Sequence, residues 1–165
     1  MYTFLCVINY NHLYQAKNKN MTHIQTYMML GCIATNLVAG NLWLLIGGRT
    51  PYYENPYSSV NFRLMIGASI ACIVCYLFLF AKIQPATRNL FLLWLLSLAA
   101  CFAIAMLGNT IAMFLLGAES IGDVLKHIIT GLLTGFIGAF LFFPFIIPMS
   151  IINVAWLVVF VRNAP

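Results

Sequence analysis

Four long runs without a charged residue constrain the fold more than any other feature of this chain. They cover residues 27–47, 64–81, 90–116 and 128–161. About 20 apolar residues in a helix cross the roughly 30 Å hydrocarbon core of a bilayer, and a helix satisfies its own backbone hydrogen bonds there. Only 7% of the chain is charged and 63% is hydrophobic, whereas soluble domains are about one-quarter charged. The sequence therefore predicts an all-α integral membrane protein.

The fourth run has an unusual length. Its 34 residues would form a helix of about 51 Å, which exceeds one hydrocarbon core, yet two complete spans need about 40 residues plus a turn. Pro144 and Pro148 lie one helical turn apart within it, and a proline removes a backbone N–H and bends a helix. We predict a long fourth helix kinked at Pro144 and Pro148, with a re-entrant hairpin as the alternative.

The domain organisation follows from these runs. Residues 1–26 form a mixed tail that we expect in the cytoplasm, and Met21 can serve as an alternative start. Residues 27–162 are predicted to form a single four-helix transmembrane bundle. Four crossings place five basic residues on the side of the tail, namely Lys17, Lys19, Lys82, Arg88 and Arg162. Three lie opposite, namely Arg49, Arg63 and Lys126. Basic residues favour the cytoplasmic side, so both termini are predicted to lie inside.

The apolar runs carry no group suited to catalysis or cofactor binding. Their interiors contain no Asp, Glu, Lys, Arg or His, whereas ion-coupled carriers normally place ionisable residues there. Cys72 and Cys75 resemble a redox pair, but a thiolate is disfavoured in hydrocarbon, and this spacing suits packing on one helix face. We expect no enzyme, metal or cofactor. The scattered basic residues also indicate no nucleic-acid partner.

Side-chain amides are the main polar groups inside the spans. They belong to Asn36, Asn41, Asn109 and Asn153. An amide in hydrocarbon must find hydrogen-bond partners, so these residues either join helices or line a polar path through them.

A face of small residues marks the first half of the fourth run. Gly131, Thr134, Gly135 and Gly138 follow a small-xxx-small pattern, which allows two helix backbones to approach closely. The face either packs inside the monomer or docks a helix of a partner.

The loop between the first two spans is the most distinctive polar segment. It contains Arg49, Tyr52, Tyr53, Glu54, Tyr57 and Arg63. Its tyrosines can belong to an aromatic belt at the membrane surface, or the loop can recognise a partner, because Tyr and Arg are common at interface hot spots.

In size and number of spans the chain resembles small four-span inner-membrane proteins, such as immunity proteins to pore-forming colicins and prophage superinfection-exclusion proteins. The resemblance covers this overall plan and assigns no residue. It implies a bacterial inner-membrane protein that acts without catalysis, by binding another membrane protein, an incoming toxin or phage component, or a second copy in the bilayer. An accessory subunit of a larger membrane complex fits the same features. A passive transporter or pore for an uncharged solute is the alternative.

Overall fold

The computed structural model describes residues 23–47, 59–83, 89–115, 117 and 120–163. In these ranges the chain forms five α-helices and no strand: α1 (His23–Gly47), α2 (Ser59–Lys82), α3 (Leu90–Phe114), α4 (Ile121–Leu141) and α5 (Phe143–Arg162). Each of the five contains a segment of 20 to 25 residues that is long and apolar enough to cross a membrane. The protein is therefore an all-helical integral membrane protein.

Helix ends follow local capping signals. Asn89 precedes α3, and its side chain accepts hydrogen bonds from the N–H groups of Phe91 and Leu92. Ser120 precedes α4, and its hydroxyl accepts from the N–H of Asp123 at 3.2 Å. Such caps satisfy N–H groups that lack partners in the first turn. α1 and α2 begin four and five residues before the apolar runs at 27 and 64.

The predicted fourth helix is two helices in the structure. α4 ends at Leu141 and α5 begins at Phe143, with Phe142 between them. Pro144 occupies the first turn of α5, whereas Pro148 lies inside that helix. Proline is well tolerated in a first turn, where its missing N–H has no intrahelical acceptor. The chain thus ends one helix and starts another just before Pro144, and the described residues form five helices where the sequence predicts four.

Four of the helices form a ring. α1 packs against α2 and α5, and α3 packs against α2 and α5 on the other side. α4 lies outside this ring, where it packs along α3 and touches α5 near their junction. α1 and α3 face each other across the ring without close backbone contact, which leaves space in the centre for side chains and a cavity.

Neighbouring helices in the ring are antiparallel. Between neighbours, contacts join rising residue numbers on one helix to falling numbers on the other. α1 meets α2 through Asn36 with Tyr76 and Asn41 with Ser69, and α2 meets α3 through Gly67 with Gly108 and Tyr76 with Cys101. α3 meets α5 through Ser97 with Ser150 and Phe102 with Phe143. α4 also runs antiparallel to α3, from the Phe114–His127 ring contact to Gly135 beside Met106. α4 and α5 thus run in the same direction as each other and antiparallel to α3, with α4 along the C-terminal half of α3 and α5 along its N-terminal half.

The core is densest in the half of the ring near the start of α3. Tyr76, Leu93 and Leu157 are fully buried there, and the rings of Phe80 and Phe160 meet edge to face at 4.7 Å. Many apolar side chains on the outside of the bundle are exposed, as expected for helices whose outer surface meets lipid tails.

Candidate functional site

A cluster of neutral polar side chains lies in the centre of the ring. Asn36 Nδ2 donates to Asn153 Oδ1 at 2.7 Å, and Asn153 Nδ2 donates back to Asn36 Oδ1 at 3.2 Å. The Tyr76 hydroxyl accepts from Asn153 Nδ2 and donates to Asn36 Oδ1. Asn36 Nδ2 also donates to the carbonyl of Cys32 on its own helix. Tyr76 and Asn153 are fully buried. The cluster joins α1, α2 and α5, and its side chains supply one another's hydrogen-bond partners away from water.

The sulfur atoms of two cysteines contact this cluster. The Cys101 sulfur lies 3.8 Å from both the Tyr76 hydroxyl and Asn153 Nδ2. Cys32 Sγ lies 3.7 Å from Asn153 Oδ1. Cys72 is buried, whereas Cys75 is partly exposed, and all are free thiols. The described part of the chain contains no group of three or more His, Cys, Asp or Glu residues placed to hold a metal ion.

A second polar contact joins α3 to α5. Ser97 Oγ donates to the carbonyl of Ser150 at 3.0 Å, and Trp94 Nε1 donates to the Ser150 hydroxyl at 3.1 Å. The Ser150 hydroxyl in turn donates to the carbonyl of Ile147 at 2.8 Å. These serines are fully buried. The contact fixes the first half of α5, immediately after the break at Phe142, against α3.

A cavity of about 150 Å³, partly open to the surface of the bundle, lies beside this cluster of Asn36, Tyr76 and Asn153. It occupies the half of the ring that contains the end of α1, the start of α2 and the α4–α5 junction. Most of its lining is apolar, from residues such as Leu64, Ile104 and Met149. Asn36, Asn41 and Asn109 also line it. Three of the four asparagines that the sequence singles out therefore meet at one cavity, and the fourth, Asn153, is bonded to Asn36.

The cavity asparagines differ in their partners. Asn41 Nδ2 donates to the Ser69 hydroxyl on α2 at 3.2 Å. Asn109 Nδ2 donates to the carbonyl of Ala105 on its own helix at 2.9 Å. Thus Asn36, Asn41 and Asn153 join helices, whereas Asn109 is bonded within α3.

Trp43 forms one wall of the cavity. Its ring stacks on Phe145 at 4.9 Å between centroids and meets the edge of Phe142 at 6.4 Å. Its Nε1 is buried and has no hydrogen-bond acceptor among the described residues. The indole orientation is therefore set by two aromatic contacts from the α4–α5 junction, while its N–H has no partner in the part of the chain that the structure describes.

The structure divides the predicted small-residue face of α4. Gly131 and Gly135 are buried against α3, where an added Cβ would lie 2.5 Å from the Cα of Thr110 and of Met106 respectively. Thr134 is exposed, and an added Cβ on Gly138 would have no neighbour within 4 Å. Two members of the face pack inside the monomer, and two lie away from the neighbouring helices.

Most of the predicted recognition loop lies outside the described residues, namely Arg49, Tyr52, Tyr53, Glu54 and Tyr57. Arg63 is described and lies partly buried near the start of α2.

Sequence reasoning missed several residues of the site. Tyr76, Ser97 and Ser150 each place a hydroxyl within a span, which is the same signal that identified the asparagines, but hydroxyls are common in membrane helices. Trp43 lies four residues before the end of α1, a position typical of an aromatic belt. Nothing local in the sequence distinguishes a cavity wall from such a belt.

Comparisons with protein-family models, curated proteins and solved structures gave no match to this chain. The interpretation of the site therefore rests on its own geometry. Its described groups are amides, hydroxyls, thiols and an indole, all uncharged, which suit hydrogen bonding between helices or with a neutral molecule.

Proposed function

We propose that the protein is a non-enzymatic membrane protein that acts by binding another membrane protein, or a second copy, through its transmembrane helices. The position of α4 carries this proposal. α4 is attached to the ring through Gly131 and Gly135, whereas Thr134 is exposed and Gly138 has open space at its Cβ position. Small residues on a lipid-facing surface allow a partner helix to approach closely.

A membrane-protein partner agrees with the resemblance of this chain, in overall plan, to colicin-immunity and superinfection-exclusion proteins. An incoming toxin or phage component, or a subunit of a larger membrane complex, would meet α4 within the bilayer. The Tyr-rich segment from Arg49 to Tyr57 would supply recognition at the membrane surface. This proposal places the protein in a bacterial inner membrane.

We also propose one crossing for α4 and α5 together, with both termini in the cytoplasm. The supporting observation is the order of contacts along α3, since α4 pairs with its C-terminal half and α5 with its N-terminal half. One crossing returns Arg162 to the membrane side of His23 and Lys82, and the larger basic count of that side favours the cytoplasm.

Photo-crosslinking in membranes tests the interaction function. A benzophenone amino acid replaces Thr134 in one sample and Ala155, an exposed residue on α5, in another. We expect one discrete adduct from position 134 that is lost when Gly138→Leu is added, and none from position 155. Equal adducts from both positions, or none from position 134, would contradict the proposal.

A passive carrier for an uncharged solute is the second candidate, and the cavity favours it. Asn36, Asn41 and Asn109 offer amides to a solute, although the buried side chains of Leu93 and Leu157 fill the other half of the ring. Transport would therefore need that half to open. Solute flux in proteoliposomes measures this activity, and unchanged flux in Asn41→Leu and Asn109→Leu variants would exclude these residues from a path.

A further inference from the structure

The size of the cavity sets how much of a molecule it can enclose. At about 150 Å³ it matches the engineered protein cavity of about 150 Å³ that binds benzene. It therefore suits a compact molecule of roughly benzene size, or one end of a longer molecule.

The chemistry of the lining sets the charge of such a molecule. No Asp, Glu, Lys, Arg or His is among the described residues that line the cavity. A charged group would lose its hydration there without a counter-ion, at a cost far above that of a neutral polar group. The occupant is thus uncharged and mainly apolar.

Trp43 sets the polar requirement. Its buried N–H finds no acceptor among the described residues, and a buried donor without a partner has lost the hydrogen bond that it makes to water in the unfolded chain. An indole N–H can only donate, so its complement is an acceptor such as a carbonyl oxygen. Stacking on Phe145 holds the ring in place, which reduces the cost of ordering it on binding.

We propose that this cavity binds a small, uncharged, mainly apolar molecule whose carbonyl oxygen accepts a hydrogen bond from the indole N–H of Trp43. The carbonyl belongs either to a free solute or to the ester of a membrane lipid, since Trp43 lies near the end of α1. The proposal is independent of partner binding through α4, and its test requires no transport.

The three tryptophans provide the readout. With ¹⁵N-labelled Trp, the protein gives three indole N–H signals, from Trp43, Trp94 and Trp156. Trp94 already donates to Ser150 and serves as an internal control. A Trp43→Phe variant assigns the cavity signal. The protein is placed in nanodiscs of diether phosphatidylcholine, which has no ester carbonyl.

The probe is cyclohexanone, and methylcyclohexane, which has the same number of heavy atoms and no acceptor, is its control. We expect cyclohexanone to move the Trp43 signal downfield in a saturable manner, while the Trp94 signal stays in place. Methylcyclohexane should not reproduce the downfield shift. An unmoved Trp43 signal, or an equal shift of all three signals, would overturn the proposal.

Two glycine variants separate the cavity from general effects of bulk. Gly40 lines the cavity and has open space at its Cβ position. Gly40→Leu should therefore fill the cavity and weaken the apparent affinity for cyclohexanone, measured from the Trp43 shift, at least tenfold. Gly138 has the same open space but does not line the cavity, so Gly138→Leu should leave the shift unchanged. Unaltered Trp94 and Trp156 signals show that each variant is folded, and Gly40→Ala provides a milder step.

A comparison of lipids identifies the source of the carbonyl. If the Trp43 signal without added ketone lies further downfield in diester than in diether nanodiscs, the lipid ester is the occupant. If the signal is the same in both lipids and responds to cyclohexanone, the occupant is a free solute. A shift that persists fully in Gly40→Leu would contradict both forms of the proposal.

Discussion

Asn36 and Asn153, which lie 117 positions apart in the sequence, exchange two side-chain hydrogen bonds in the centre of the bundle. Tyr76 completes the contact by accepting from one amide and donating to the other. Each amide therefore satisfies groups on the other helices, and the loss of Asn153 removes both of its bonds to Asn36 and the one that it donates to Tyr76. This reciprocity joins the first helix of the bundle to its last.

The pair gives a prediction about stability. Asn153→Leu should lower the free energy of unfolding by about 1–2 kcal/mol, near the upper range for hydrogen bonds between membrane helices. Asn109→Leu should cost less, because the Asn109 amide bonds only a carbonyl of its own helix. Unfolding in detergent with increasing dodecyl sulfate measures both. The Asn36→Leu/Asn153→Leu double variant should lose less than the sum of the single variants, since the two share one contact; strict additivity would contradict the coupling.

Close backbone packing gives a second prediction. A Cβ on Gly67 would overlap the carbonyl oxygen of Gly108, and backbone atoms cannot move aside as a flexible side chain can. Gly67→Ala should therefore cost about 1–3 kcal/mol, as overpacking generally does. Gly138→Ala, which meets no atom within 4 Å, should be neutral or stabilising by up to about 1 kcal/mol. The same unfolding measurement compares them, and equal losses at both positions would show that α2 and α3 are not in close contact at Gly67.

The two prolines should differ in their effect. Pro148 lies inside α5, where it withholds an N–H from the carbonyl of Pro144, whereas Pro144 lies in the first turn. Interior proline is about 3 kcal/mol less favourable than alanine, and the native packing around α5 already accommodates part of this cost. Pro148→Ala should raise stability by about 1–2 kcal/mol, and Pro144→Ala should change it by less than about 0.5 kcal/mol, since a first-turn proline is tolerated. A larger gain from Pro144→Ala would place the strain at the junction instead.

Hydropathy alone was sufficient to locate the helices but not to divide the last apolar run. The 34 residues from 128 to 161 fit neither one span nor two, and both prolines were visible. The break falls at Phe142 because a helix can restart with Pro144 in its first turn, and the same break brings Phe142 and Phe145 to the wall of the cavity. Which side chains meet there depends on the packing of four helices, and local sequence does not encode this packing.

The asparagines of the candidate site were predictable as individual residues, but their arrangement was not. An amide in hydrocarbon needs a partner, so Asn36 and Asn153 could be singled out, whereas their mutual pairing could not. Similarly, Gly131 and Gly135 follow the same pattern as Gly138, yet only the first two face α3. A stripe of small residues is wider than one contact, and the neighbouring helix determines which part of it is used.

Membrane topology provides the last prediction, because it decides between one and two crossings for α4 and α5. Single cysteines replace His23, Ser120 and Asn163 in turn, in a chain whose native cysteines are changed to alanine. With one crossing, a membrane-impermeant maleimide added outside intact cells should label position 120, while positions 23 and 163 react only after the membrane is opened. Two separate crossings would place position 163 outside with position 120. Labelling of position 163 in intact cells would therefore contradict the joint crossing, and with it the placement of both termini in the cytoplasm.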